Sequence, residues 1–182
     1  TFLRWEQLAA YARASVNRDY AFRGTDRVRK SLSEGGKVTL SASQESQILS
    51  NQKTYGLWGL YIMPSRASGL LEGTPNRLTP RAAEHVRQNC LPLLSKAGLG
   101  DGKEIVSLLG AARTRLDVGG PQRRLLEVVG RLLRLPLRSE EREFYRFHLL
   151  EGGPDDSTRG LQRQLAGLLE KTLGQEDFAY SP

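Results

Sequence analysis

The stretch Ser65-Arg66-Ala67-Ser68-Gly69-Leu70-Leu71-Glu72-Gly73-Thr74-Pro75-Asn76-Arg77-Leu78-Thr79-Pro80-Arg81-Ala82-Ala83-Glu84 decides how this 182-residue chain is read. Thr79 suits an N-cap, because its hydroxyl can take an unpaired backbone N–H, and Pro80 suits the first helical position, with φ already set and no N–H to leave unbonded. Glu84 falls in the early turns, where the helix dipole favours a carboxylate. Ahead of that start, Gly69 can end a short helix, Leu70-Leu71 begins a strand, Gly73-Thr74-Pro75-Asn76 supplies the turn and Arg77-Leu78 returns.

Working backward, Met63-Pro64 predicts a break, with a short helix over Pro64–Gly69 presenting Ser65, Arg66 and Ser68. Tyr55-Gly56-Leu57-Trp58-Gly59-Leu60-Tyr61-Ile62 fits neither period cleanly and is read as helix, its aromatic residues as core rather than a base-stacking platform. Ser41 or Ser43 is expected to cap a helix over 43–51 that buries Ile48 and Leu49. Gly35-Gly36 followed by Lys37-Val38-Thr39-Leu40 predicts a turn and a short strand. Thr25 or Asp26 is expected to cap a helix ending near Glu34, with Arg27 and Lys30 on a basic ridge that either meets phosphate or is a solvated face. The first helix, residues 2–14, puts Trp5, Leu8, Ala9 and Ala12 on one side and Arg4, Glu6, Gln7 and Arg13 on others.

Helix, short strand, turn, short strand, helix is the layout of a winged helix-turn-helix. Ser68-Gly69-Leu70-Leu71-Glu72 with Asn76-Arg77-Leu78-Thr79-Pro80-Arg81-Ala82 resembles the ending of bacterial winged-helix regulators such as the MarR-like group, over residues of about 41–95. The resemblance implies that the helix before the wing enters a DNA major groove while the wing touches phosphate or the minor groove. Carried over by position, it puts Ser65, Arg66 and Ser68 at the groove with Lys53 nearby, Arg77 on the wing and Arg81 at the following helix N-terminus. Pro64, Gly56 and Gly59 depart from the pattern and shorten the would-be recognition helix.

Charge supports the same half. Residues 1–100 hold 14 Lys/Arg and 7 Asp/Glu, whereas residues 101–182 hold 13 of each. A basic surface attracts polyanions through phosphate contacts and counterion release, although ordinary surface charge explains the same numbers. No run approaches the roughly 18 apolar residues a membrane helix needs. Cys90 is the single cysteine and His85 and His148 are the only histidines, so neither a disulfide nor a structural zinc site is expected. A cytoplasmic bacterial protein is the simplest expectation. Cys90 itself reads as a small buried hydrophobe.

After Leu94 the character changes. The Gly-rich segment Ser95–Gly102 suggests a boundary, giving a basic winged-helix-like module over 1–97 and a helical bundle over 98–182. Asp101 with Glu104 suggests a capping box for a helix carrying Ile105, Leu108, Leu109, Ala112 and Leu116. Pro121 opens a helix with Leu125, Val128, Val129, Leu132 and Leu133, and Ser139 is expected to cap one through Phe144, Phe147 and Leu150. Gly152-Gly153-Pro154-Asp155-Asp156 reads as a turn. Ser157 or Thr158 caps a last helix striped with Leu161, Leu165, Leu168, Leu169 and Leu173.

No catalytic constellation stands out. Phosphate-binding glycine motifs are missing, and Ser50 or Ser65 lacks a base in any recognisable pattern. Asp101-Gly102-Lys103-Glu104 and Asp155-Asp156 suit helix starts better than cation sites. The chain is therefore expected to be mainly α, with a small β-ribbon, and to act without a cofactor or metal. The expected function is a non-catalytic nucleic-acid-binding subunit or regulator of a bacterial DNA-handling or defence system, its partner double-stranded DNA. The competing expectation is an adaptor whose winged fold and C-terminal helices bind protein. Lys53, Ser65, Arg66, Ser68, Arg77, Arg81, Arg27 and Lys30 are the candidate contacts, and the arginines of the wing are expected to face solvent free of internal acidic partners.

Overall fold

A computed structural model describes residues 1–100, 102–150 and 160–173. In chain order the elements are α1 (Phe2–Asn17), α2 (Thr25–Ser33), β1 (Lys37–Ser41), a 3-10 turn (Gln44–Ser46), α3 (Gln52–Tyr55) and α4 (Leu57–Ala67). The strands β2 (Leu71–Glu72) and β3 (Arg77–Leu78) follow, then α5 (Pro80–His85), a π-helical segment (Val86–Cys90), α6 (Leu91–Lys96) and α7 (Lys103–Gly110). The rest comprises β4 (Arg113–Asp117), α8 (Arg123–Leu132), α9 (Ser139–Tyr145), a second π-helical segment (Arg146–Leu150) and α10 (Leu161–Leu173). The protein is mainly helical with two small antiparallel sheets. No described helix is long and apolar enough to cross a membrane. The caps expected at Asp101 and at Ser157 or Thr158, and the turn at Gly152–Asp156, lie outside the described residues.

The chain forms two compact bodies interleaved in sequence: Thr1–Tyr61 with Val86–Pro136, and Ile62–His85 with Leu137–Pro182. The boundary expected near residue 97 is therefore corrected. Its physical cause is that β1 pairs antiparallel with β4, Lys37 opposite Asp117 and Ser41 opposite Arg113, so the segment after the Gly-rich linker completes a sheet begun before it. Leu116, expected on a helix, stands on β4. The helix stops at Gly110 because the chain turns extended at Ala111 and the Thr114 hydroxyl donates to the Leu108 carbonyl. Residues 98–182 are accordingly not one helical bundle.

In the first body α1 is the central element. Leu8, Tyr11 and Ala12 recur at i, i+3 and i+4 and are buried together with Leu125, Leu126 and Val129 of α8, Val38 and Leu40 of β1, and Leu116 of β4. Close approach of α1 and α8 depends on Gly130, where a Cβ would stand 3.3 Å from that of Val16. Gln7, expected on a polar face, is fully buried. Its Nε2 donates to the Ser41 carbonyl (2.9 Å) and to Gln52 Oε1 (3.2 Å), and its Oε1 accepts from the Ser41 N–H (3.1 Å). Between β1 and α3 the expected 43–51 helix is only one 3-10 turn, braced by bonds between the hydroxyls of Ser41, Ser43 and Ser46. Gly24, at φ +86° with Ile48 against it, precedes α2, and Thr25 donates back to the carbonyls of Tyr20 and Phe22 instead of capping.

In the second body the ribbon forms with its returning strand at Arg77–Leu78 as expected and its first strand one residue later, from Leu71: Leu71 opposes Leu78 and Glu72 opposes Arg77, around Gly73 at φ +72°. Thr79 caps α5, accepting from the Ala82 N–H at 3.3 Å and donating to the Gly69 carbonyl at 2.8 Å. Pro64, expected to break the chain, sits inside α4. The carbonyl that a proline at this position leaves unbonded, on Leu60, belongs to an exposed residue and can meet water. Ser139 is the first helical residue of α9, not its cap; Glu141 closes that end by accepting from the Arg138 N–H at 3.0 Å. Along α10 the leucine stripe is helical as expected, but Leu161, Leu165, Leu168, Leu169 and Leu173 are all exposed.

Candidate nucleic-acid interface

The eight candidate contacts divide between the bodies: Arg27, Lys30 and Lys53 in the first, and Ser65, Arg66, Ser68, Arg77 and Arg81 in the second. Of these, the three arginines of the second body each have an internal partner. Arg66 Nη1 donates to the Gly73 carbonyl at 2.9 Å and to Asn76 Oδ1, tying α4 to the ribbon turn. Arg77 pairs with Glu72 at 3.2 Å across the ribbon, and the Arg81 guanidinium lies over the Phe147 ring at 4.3 Å. Ser68 is buried at 3% exposure, its hydroxyl 3.4 Å from the Ser65 carbonyl, so it offers no polar group to a groove. Ser65 is half-buried.

Counting charges by body changes the electrostatic picture. The stretches of the first body hold 18 Lys/Arg and 9 Asp/Glu; those of the second hold 9 and 11. All of the net positive charge belongs to the first body, and the stretches that include the ribbon sum to a slight negative charge. A split at residue 100 concealed this, because the basic residues of 103–134 fold back onto the first body.

Within that body Arg27, Lys30, Lys37, Arg113 and Arg115 stand on or beside the sheet. Alternation along β1 and β4 sends Val38, Leu40 and Leu116 inward and leaves Lys37, Thr39, Arg113 and Arg115 outward. A cleft of about 710 Å³ runs beside β1, bounded by Arg27 and Lys30 of α2 and Glu34 just after it, by Gln44–Gln47, and by Lys37, Thr39 and Arg113. It adjoins a second hollow of about 570 Å³ that shares Lys37, Val38 and Thr39 and adds Arg115, Asp117, Pro121 and Gln122. Arg27 Nη1 donates to the Gln47 carbonyl at 2.8 Å, which fixes the wall of the cleft without neutralising its charge. Lys30 approaches Glu34 only to 3.9 Å on an exposed helix face. The Ser43 hydroxyl and its own backbone N–H hold the Glu45 carboxyl below its ordinary range, and Arg113 acts in the same direction. Lys37, Arg115 and Lys53 have no ion-pair partner among the described residues.

Compared with known protein families, curated proteins and solved structures, the chain matches none.

Sequence reasoning missed Lys37, Arg113 and Arg115 as a group. The β-branched Thr114 and the apolar Leu116 set between Arg113, Arg115 and Asp117 were the available signal, and the helical spacing of Leu109, Ala112 and Leu116 overrode it. The second body holds a different cluster. His85 stacks on Phe144 with ring centroids 3.8 Å apart, and His148, fully buried, lies 4.5 Å from Phe144 and directs Nδ1 at the Ser68 carbonyl (2.8 Å). A carbonyl only accepts, so Nδ1 carries the proton of this bond. Burial lowers the affinity of His85 for its proton; Glu141 opposes that shift, and Arg138 and His148 add to it. Among the described residues no three metal-ligating side chains converge.

Proposed function

We propose that this protein is a non-catalytic nucleic-acid-binding subunit or regulator whose contact surface is the basic first body, centred on Lys37, Arg113 and Arg115 of the sheet and on Arg27 and Lys30 of α2. One observation carries the reading: in a body with twice as many basic as acidic residues, Arg27, Lys30, Lys37, Arg113 and Arg115 line one polar cleft and the sheet face beside it. Such a field favours phosphate backbones irrespective of base sequence. The wing-like ribbon does not supply the affinity, because its arginines serve the ribbon itself.

The test is anisotropy with random duplex DNA at two salt concentrations. The wild-type protein binds at low salt and weakens steeply as salt rises. A Lys37→Ala, Arg113→Ala, Arg115→Ala variant binds less tightly, with a log–log salt slope shallower by about one for each phosphate contact removed. Undetectable binding at low salt, or an unchanged slope in the variant, refutes the reading.

A second reading is favoured by α10. Five exposed leucines on thirteen residues are costly in water, and a protein partner covering them would make the chain an adaptor as well. Stable co-purification of another chain, lost on Leu165→Glu, would establish it.

A further inference from the structure

The hydrogen-bond parity of β1 leaves part of a strand edge vacant. The Gly36 carbonyl accepts from the Val118 N–H at 3.0 Å, so Gly36, Val38 and Leu40 are the residues whose backbone groups face β4. The backbone N–H and C=O groups of Lys37, Thr39 and Ser41 therefore point the other way. At Ser41 both are satisfied by the Gln7 carboxamide, which pairs with them as the peptide group of a neighbouring strand would. Lys37 and Thr39, the next two outward positions, open on the 710 Å³ cleft between α2 and the 3-10 turn, and no described residue bonds to their outward groups. Four cations, Arg27, Lys30, Lys37 and Arg113, line that cleft against Glu34 and Glu45.

We propose that β1 receives a third strand: an extended acidic peptide segment of a partner protein, adding along Lys37–Thr39 where the Gln7 carboxamide stops. Backbone donors and acceptors alternate along this edge, and another peptide backbone satisfies both. A phosphodiester chain offers acceptors only, so it can meet the cationic side chains but cannot pair with the Lys37 and Thr39 carbonyls. The surrounding cations then select carboxylates at alternate positions of the incoming strand. This inference stands on the edge geometry and does not require the nucleic-acid reading. Because the two ligands would share Lys37 and Arg113, they are expected to compete.

The decisive variant is Thr39→Pro. It removes an N–H that makes no bond to β4 and leaves every charge in place, so the sheet persists while the edge is blocked. The probe is a short fluorescein-labelled peptide of alternating Glu and Val. The wild-type protein is expected to bind it, and Thr39→Pro to bind it at least about tenfold more weakly while remaining folded by thermal melting. Equal peptide binding by the two proteins would mean simple charge attraction and overturn the proposal, as would no binding by the wild type. Should thermal melting show Thr39→Pro unfolded, peptides N-methylated at every second residue decide with the native protein. Loss in one frame and retention in the other supports strand addition, and any other pattern overturns it. Absence of DNA binding with peptide binding intact would sink the nucleic-acid reading and leave this one standing.

Discussion

His148 Nδ1 lies 2.8 Å from the carbonyl oxygen of Ser68, joining residues 80 positions apart inside the second body. The bond satisfies a carbonyl just past the end of α4, where the chain leaves the helix for the ribbon, and it places the fully buried imidazole against Phe144. His148→Leu keeps the volume and removes the donor. The stranded Ser68 carbonyl then costs about 1–3 kcal/mol, read as a lower urea midpoint with an unchanged m-value. His148→Asn, whose amide can donate in a similar direction, is expected to recover part of that loss. Equal stability of His148→Leu and the wild type would show the bond to be dispensable.

A pH dependence follows from His85. Burial holds its folded-state pKa below the unfolded value, so the unfolded chain binds the proton more readily. Stability is therefore full above the ordinary histidine pKa of about 6.5 and declines as pH falls through and below it. Glu141, whose carboxyl is lowered chiefly by the Arg138 backbone N–H, adds a second loss only when pH falls into the carboxylate range. His85→Phe retains an aromatic stack on Phe144 and removes the titration. Thermal melts at about pH 7.5 and about pH 5.5 should show a smaller difference for this variant than for the wild type.

What the sequence revealed and what it concealed follow from the range of the interactions. The ribbon and the start of α5 were legible because Gly73, Thr79 and Pro80 act on their own neighbours through backbone geometry and a cap. β4 was not, because its partner β1 lies 80 residues earlier at the Lys37–Asp117 pair, and five residues carrying Leu116 at a helical offset read equally well as a turn of helix. Ser68 looked like a groove contact because nothing local buries it. Pro64 was read by its usual effect, whereas an exposed turn around Leu60 lets α4 continue through it. The order helix, short strand, turn, short strand, helix was legible over residues 57–85, and the net positive charge counted over residues 1–100 belongs to the other body. Cleft-lining Arg27 and Lys30 were found by helical spacing alone; Lys37, Arg113 and Arg115 required the strand pairing.

Gln7 illustrates a polar residue that the helical pattern misplaces. With no exposed surface, it bonds to both backbone groups of Ser41 and to Gln52, whose Nε2 continues to the Leu3 carbonyl and Glu6. Gln7→Leu fits the space but leaves the Ser41 N–H and carbonyl buried without partners. A loss of about 1–3 kcal/mol is expected for each group left unpaired, reduced where β1 shifts to admit water. Hydrogen exchange would localise the effect, with the Ser41 amide losing protection well before those of the α1–α8 contact. Protection retained at Ser41 in the variant would contradict this account.

The wing arginines provide the sharpest contrast between the two bodies. Arg77 is exposed and paired only with Glu72 at the surface, an interaction worth well under about 1 kcal/mol. Arg77→Ala should therefore leave both the melting temperature and the salt slope of DNA binding close to wild type. Arg66→Ala removes the tie between α4 and the Gly73–Asn76 turn, so a modest stability loss of about 1 kcal/mol is expected, again without a change in slope. Lys37→Ala and Arg113→Ala should show the opposite pattern, with melting unchanged and the slope reduced, since neither residue is buried. If Arg77→Ala flattens the salt dependence while Arg113→Ala does not, phosphate is bound at the ribbon after all, and the basic first body would be ordinary solvated surface.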